Sequence, residues 1–194
     1  MNKNKLKVII VGAGIGGLTA AAHLLKRGFF VRVYEQASVL AEVGAGIQSS
    51  ANAVKVLYDL GLKEKLDVFA VRPQAFEFRR FDTAELMHRI PLGQAHEDAF
   101  GAPYFHLHRA DLHDLLAKTV YQLDQDCISL NAKAKHFEES DGAVSLHLVD
   151  GRVIHGDVLT LAVSQFSWEH CNAGRFFLLY LLTSSSSSLS LLDD

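Results

Sequence analysis

Gly12, Gly14 and Gly17, with Gly16 among them, and the carboxylate Glu35 are the residues whose types and spacing carry chemistry most clearly. In a Gly-x-Gly-x-x-Gly turn, the first glycine permits a tight bend. The second lets the backbone approach a pyrophosphate, and the third lets helix and strand pack closely. A helix opening there offers unsatisfied N–H groups and the positive end of its dipole to the phosphates. Glu35 stands eighteen residues past Gly17, near the distance at which a carboxylate accepts hydrogen bonds from ribose hydroxyls and repels a 2′-phosphate. Together these residues predict a dinucleotide site.

Such a turn works only between a strand and a helix. Leu6 to Val11 is β-branched and nearly all apolar, as in a parallel strand covered on both faces. Ile15, Leu18, Ala22 and Leu25 then recur at helical spacing, with Gly28 as a C-terminal cap. Val31 to Glu35 reads as a second strand with its carboxylate at the carboxyl end. Strand, turn, helix and strand make a βαβ unit with an expected right-handed crossover.

A second glycine segment, Gly44-Ala45-Gly46-Ile47-Gln48, leads into a helix whose apolar positions Val54, Leu57 and Leu60 stop at Gly61. The middle of the chain holds all three prolines, Pro73, Pro91 and Pro103. There Phe76, Phe78 and the stretch Glu85 to Ile90 alternate like strands around an Asp82-Thr83 turn. This predicts the start of an inserted antiparallel sheet near residues 68–106, which ends in a short strand from Tyr104 to His108. Leu112, Leu115, Leu116, Val120 and Leu123 mark a helix. A strand from Ser129 to Phe137 and another from Val144 to Val149 are expected to pair around Asp141-Gly142, with a third from Val153 to Leu161. Residues 162–194, with the apolar run Phe176 to Leu182 and the serines Ser184 to Ser188, show no organising period. They are expected to lie loosely beside the domain formed by residues 1–161.

Composition removes other classes. The 194 residues are 49% hydrophobic and 21% charged, with a net charge of −3. That excludes disordered and fibrous chains and offers no basic excess for nucleic acid. Cys127 and Cys171 form no CxxC pair, which argues against a thiolate zinc site or a disulfide framework and suits a reducing, cytoplasmic setting. The run Phe176 to Leu182 falls far short of the roughly 20 residues of a membrane helix. Of the ten histidines, His106, His108 and His113 cluster in sequence, but no recognisable metal-ligand spacing accompanies them.

Four segments in order narrow the reading. They are Gly12-Ala13-Gly14-Ile15-Gly16-Gly17, Tyr34-Glu35-Gln36, Gly44 to Gln48 with Ala51-Asn52-Ala53, and His108-Arg109-Ala110-Asp111-Leu112. In this the chain resembles the N-terminal half of the class A flavoprotein aromatic hydroxylases, most closely the salicylate, 3-hydroxybenzoate and 6-hydroxynicotinate monooxygenase group. The resemblance implies a Rossmann-like fold binding FAD non-covalently, NADH or NADPH as reductant, and hydroxylation of a small aromatic acid with O2. It places Gly12, Gly14, Gly16 and Gly17 at the FAD diphosphate, Glu35 at the adenosine ribose and Gln36 beside the adenosine. Gly46 to Gln48 fall near the flavin end, and Arg109 contacts the FAD, where a guanidinium supplies charge-assisted hydrogen bonds. Some relatives carry a histidine of proposed catalytic function where Gln48 stands. Glutamine is no base, so that role does not transfer and the catalytic residues stay unassigned.

The resemblance ends near residue 160. The family follows this strand with an Asp-Gly motif, whereas the chain reads Thr160-Leu161-Ala162-Val163-Ser164-Gln165. The sequence therefore reads as a truncated N-terminal part. On that reading hydroxylase turnover is absent, because the half that encloses the flavin ring is missing. Glu35 and Arg109 are expected to face one groove that begins at the glycine turn. A non-catalytic FAD-binding module is the alternative. A nicotinamide-dependent oxidoreductase is a more distant one, because no second helix and third parallel strand follow Glu35 promptly.

Overall fold

The computed structural model describes residues 6–40, 45–140 and 142–162. Beyond Ala162, the expectation for the C-terminal tail lies outside the described residues.

Strand β1 (Lys7–Val11) passes through the glycine turn into helix α1 (Ile15–Lys26) and returns as β2 (Phe30–Tyr34). The helix ends where Gly28, at φ +83°, takes the left-handed conformation that its lack of a Cβ permits. The Gly28 N–H donates to the Leu25 carbonyl and the Phe29 N–H to that of Leu24, capping carbonyls that the helix leaves open. Next come β3 (Gly46–Ser49), α2 (Ala51–Asp59), α3 (Lys63–Phe69), β4 (Ala75–Arg79), β5 (Leu86–Pro91), α4 (Gly93–Phe100) and β6 (Phe105–His108). Helix α5 (Arg109–Leu123) leads to β7 (Ile128–Ser129), β8 (Ala134–Ser140), β9 (Ala143–Leu148), β10 (Val153–Gly156) and β11 (Val158–Leu161).

Four strands make an open parallel sheet in the order β11-β1-β2-β7. The alternation of β1 explains why all its central residues are apolar. Val8 and Ile10 face an apolar layer that includes Leu18 and Ala22 of α1, Val54 and Leu57 of α2, and Leu112 and Leu116 of α5. Ile9 and Val11 face the opposite layer, where Phe137, Leu146 and Leu148 come from the antiparallel sheet β10-β9-β8. Ile9 and Ile10 are both completely buried, each worth about 2 kcal/mol of transfer free energy.

Three expectations need correction. The strand expected from Ser129 to Phe137 is two elements with different partners. β7 joins β2 in the parallel sheet and β8 pairs with β9. Between them Asn131 takes φ +52°, which asparagine tolerates, and the N–H of Ala132 donates to the Glu35 carbonyl. The strand expected from Val153 to Leu161 also divides. β10 pairs with β9, and the chain then switches to β1 at Asp157, whose N–H donates to the Lys7 carbonyl while its carboxylate accepts the Lys7 N–H. A third parallel strand does follow β2, after a long insertion rather than promptly: it is β7. Its apparent lack therefore says nothing against a nicotinamide-type sheet. Within the middle region β4 and β5 pair as expected, but β6 pairs with β3, and helices α3 and α4 were not foreseen.

Candidate functional site

The glycine turn sits at the carboxyl ends of β1 and β2, where open α/β sheets place their ligands. Gly12, at φ +99°, donates its N–H to the Tyr34 carbonyl at 2.8 Å, tying the turn to the end of β2. A Cβ on Gly17 would lie 2.0 Å from the Gly12 carbonyl oxygen, so only glycine lets the first turn of α1 pack this closely on the bend. Gly14 is different. It caps α1 in an extended conformation that any residue can adopt, and a Cβ there would meet nothing within 4 Å. Gly16 follows, half-buried in the first helical turn. No acidic residue occupies that turn, so the helix itself brings no negative charge to its positive end.

Glu35 directly follows β2. Its Oε2 accepts the Ala13 N–H at 2.7 Å and its Oε1 the Ala37 N–H at 2.8 Å. These two bonds fix the carboxylate against the turn and leave each oxygen a lone pair for a further donor. Gln36 lies next to it, exposed.

His113, singled out from the sequence only among metal candidates, is the residue that joins α5 to this turn. It is buried, and its Nε2 donates to the Ala13 carbonyl at 2.7 Å. The Ala13 residue is thus held from both sides, by Glu35 at its N–H and His113 at its carbonyl. No local sequence pattern marks this backbone anchor, because its two partners stand 22 and 100 positions away. Arg109 is the first residue of α5 and precedes His113 by four positions, so both side chains lie on the same side of the helix. The Arg109 N–H donates to the Ala45 carbonyl at 3.3 Å.

Gly46 and Gln48 belong to β3, paired in register with β6: Gly46 stands opposite His108 and Gln48 opposite His106. β6 runs directly into Arg109, so this second group of predicted residues reaches the glycine turn through α5. Both are exposed, and the Oε1 of Gln48 accepts the Tyr104 hydroxyl at 2.9 Å, a partner that the sequence did not suggest. Burial pushes the Tyr104 phenol above its ordinary pKa. A separate surface recess, lined by His23, Arg27, Lys55, Val56 and Asp59, lies at the far end of α1 from the glycine turn. There Asp59 lies 3.7 Å from the Arg27 guanidinium and 3.3 Å from the His23 ring, so these polar groups close on one another.

Known proteins share the sequence and fold of this region. Residues 10–62 match the NAD(P)-binding Rossmann-like domain family. The chain is 42% identical over 154 residues to the 3-amino-4-hydroxybenzoate 2-monooxygenase of Streptomyces cremeus, covering 79% of this chain and 38% of that enzyme. It is 35% identical to the 3-hydroxybenzoate 6-hydroxylase of Polaromonas naphthalenivorans, covering 81% of this chain and 40% of the relative. Among solved structures, Klebsiella pneumoniae HpxO in complex with FAD and uric acid superposes with a TM-score of 0.67 at 28% identity, over 80% of this chain and 38% of HpxO. The chain thus spans about two-fifths of the length of the curated relatives it matches. Along about four-fifths of its length the chain is thus similar in sequence to these two oxygenases and in fold to HpxO.

Proposed function

We propose that this chain binds FAD at the glycine turn and forms the nucleotide-holding part of a monooxygenase that hydroxylates a small aromatic acid with NADH or NADPH. The observation that carries the reading is the contrast between Gly17 and Gly14. One is closed against the Gly12 carbonyl, the other is open at the start of α1, whose first turn carries no acidic side chain of its own. That is the shape a diphosphate requires, and it is a cradle that a Cβ would begin to fill.

The backbone N–H groups of Gly14, Gly16 and Gly17 receive the diphosphate oxygens on this reading. Gly12 sets the bend. Glu35 accepts the adenosine ribose hydroxyls with its remaining lone pairs, and Gln36 borders the adenosine. Arg109 brings positive charge to the diphosphate or ribityl chain, and Gly46 to Gln48 border the flavin end. FAD, when bound, supplies the redox chemistry that activates oxygen for the hydroxylation. Residues 1–161 form the FAD-binding domain, with part of a substrate domain inserted near 68–106, and the buried free thiol of Cys127 suits a cytoplasmic setting.

Titration of the 1–194 chain with FAD, followed by flavin fluorescence and by melting temperature, tests this. Gly14→Ala is expected to leave the melting temperature unchanged, because the new methyl meets no protein atom. It is expected to weaken FAD binding roughly tenfold or more, the cost of one charged hydrogen bond. Tighter binding of NAD than of FAD, or Gly14→Ala binding FAD like the parent chain, would refute the proposal.

A further inference from the structure

The outer face of the antiparallel sheet carries side chains with no part in the nucleotide site. β8 and β9 pair with His136 opposite His147, and Glu138 follows His136 by two positions on the same face. The intervening residues Phe137, Leu146 and Leu148 point into the apolar layer against Ile9 and Val11. The core therefore fixes the register, and a one-residue slip would bury these polar groups.

The two imidazoles stack, with ring centroids 4.3 Å apart and planes 11° from parallel. His136 Nε2 lies 3.5 Å from Glu138 Oε1, and His147 Nε2 lies 3.6 Å from Glu138 Oε2. These separations are longer than good hydrogen bonds. The ligating atoms of the three residues all lie within 4.8 Å of one another. His147 Nε2 is shielded from solvent and has no hydrogen-bond partner among the described residues. Two imidazole nitrogens thus gather around one carboxylate without satisfying each other.

A single cation resolves this arrangement. Donors held at about 2.0–2.1 Å around a tetrahedral ion stand roughly 3.4 Å apart, close to the spacing found here. Two imidazoles and a carboxylate suit zinc, copper or nickel, whereas calcium and magnesium require more oxygen ligands. Because the rings stack nearly parallel, binding requires a turn about χ2 to converge their lone pairs, and both retain the exposure that allows it, with water filling the open position. We propose that His136, Glu138 and His147 form a binding site for a divalent transition-metal ion, zinc foremost, clipping β8 to β9. The neighbouring His155 stays outside the set, because its Nδ1 is engaged by the Ser145 hydroxyl at 2.9 Å.

The test uses the tag-free 1–194 chain, stripped with a chelator and titrated with zinc chloride against a chromogenic indicator. One ion per chain is expected in the micromolar range. His136→Ala and His147→Ala should each weaken binding roughly tenfold or more, at least the loss seen when a ligand's supporting partner is removed, while His155→Ala binds normally. Electron paramagnetic resonance of the parent chain with copper(II) gives a readout free of any variant's folding, and two coordinating imidazole nitrogens are expected. No micromolar zinc binding, binding unaffected by both alanine variants, or a copper spectrum without nitrogen coupling would each overturn the site.

Discussion

The glycine-turn unit and the β4–β5 hairpin use the same kind of residue to opposite effect. In β1, neighbouring isoleucines on opposite faces are both fully buried, because helices cover one face of the parallel sheet and an antiparallel sheet covers the other. In the hairpin, Phe78 is 54% exposed, Met87 68% exposed and Phe81 wholly exposed. Among the described residues the hairpin is anchored at its base, where Phe76 meets Tyr104 edge-to-face at 5.2 Å and the Leu92 N–H donates to the Gln74 carbonyl. Alternating apolar residues therefore make a strand in either place. Burial comes from the layers that the rest of the chain supplies, and the described residues supply none for the hairpin tip.

The comparison predicts its largest effect at Gly17. A methyl there would sit 2.0 Å from the Gly12 carbonyl oxygen, which belongs to backbone and cannot swing aside. Gly17→Ala must push α1 away from β1 and disturb both apolar layers. A cost of about 3 kcal/mol is expected, or a fall of roughly 6–12 °C in melting temperature. A thermal scan beside Gly14→Ala, where the methyl meets open space, separates packing from ligand contact. Equal melting temperatures for the two variants would show that α1 does not pack on the turn as described.

Ion pairs sharpen the contrast at smaller energies. Arg32 of β2 donates to Asp124 at 2.6 Å, with both side chains about three-quarters shielded and the guanidinium stacked on Phe30. Burial acts to raise the Asp124 pKa, but the Arg32 hydrogen bond and the Asp126 N–H outweigh it and hold the carboxyl below its ordinary value. In the hairpin, Arg80 grips Asp82 at a similar 2.7 Å and likewise lowers its pKa, with both side chains about half exposed to water. Asp124→Asn should cost about 1 kcal/mol near pH 7, and Asp82→Asn nothing measurable. The sign follows from the depressed folded-state pKa. The Asp124 contribution is complete above its unfolded value of about 3.9 and fades as pH falls through the lower folded value. Urea melts at pH 7 and near pH 3 should therefore show the gap between the parent chain and Asp124→Asn closing in acid.

The sequence made the βαβ unit legible because its signals are local: a β-branched run, glycines at fixed spacing and a helical period closed by Gly28. The hairpin was legible for the same reason. Pairings across the chain were not. Nothing near Ile128 announces that two residues will join β2, and nothing near Asp157 announces a change of partner from β9 to β1. The chemistry divided the same way. Glu35 and Arg109 stood out by motif, whereas His113 matters through a bond to the Ala13 carbonyl 100 positions away. His136 and His147 meet only because β8 and β9 pair.

The smallest effect belongs to the hairpin tip, and it decides whether the contrast between the two regions holds in solution. Phe81 buries nothing among the described residues, so its removal forfeits no transfer free energy. The turn it occupies is held by backbone bonds, with the Arg80 N–H donating to the Glu85 carbonyl and the Ala84 N–H to that of Arg80. Neither bond uses the ring. Phe81→Ser should therefore change stability by less than about 0.5 kcal/mol, while raising the concentration at which the chain aggregates, because it removes an exposed aromatic ring from a strand-rich tip. Urea denaturation and light scattering on the same samples measure both quantities. A loss above about 1 kcal/mol would mean that the ring is covered in solution, and the hairpin would then join the packed half of the molecule rather than stand against it.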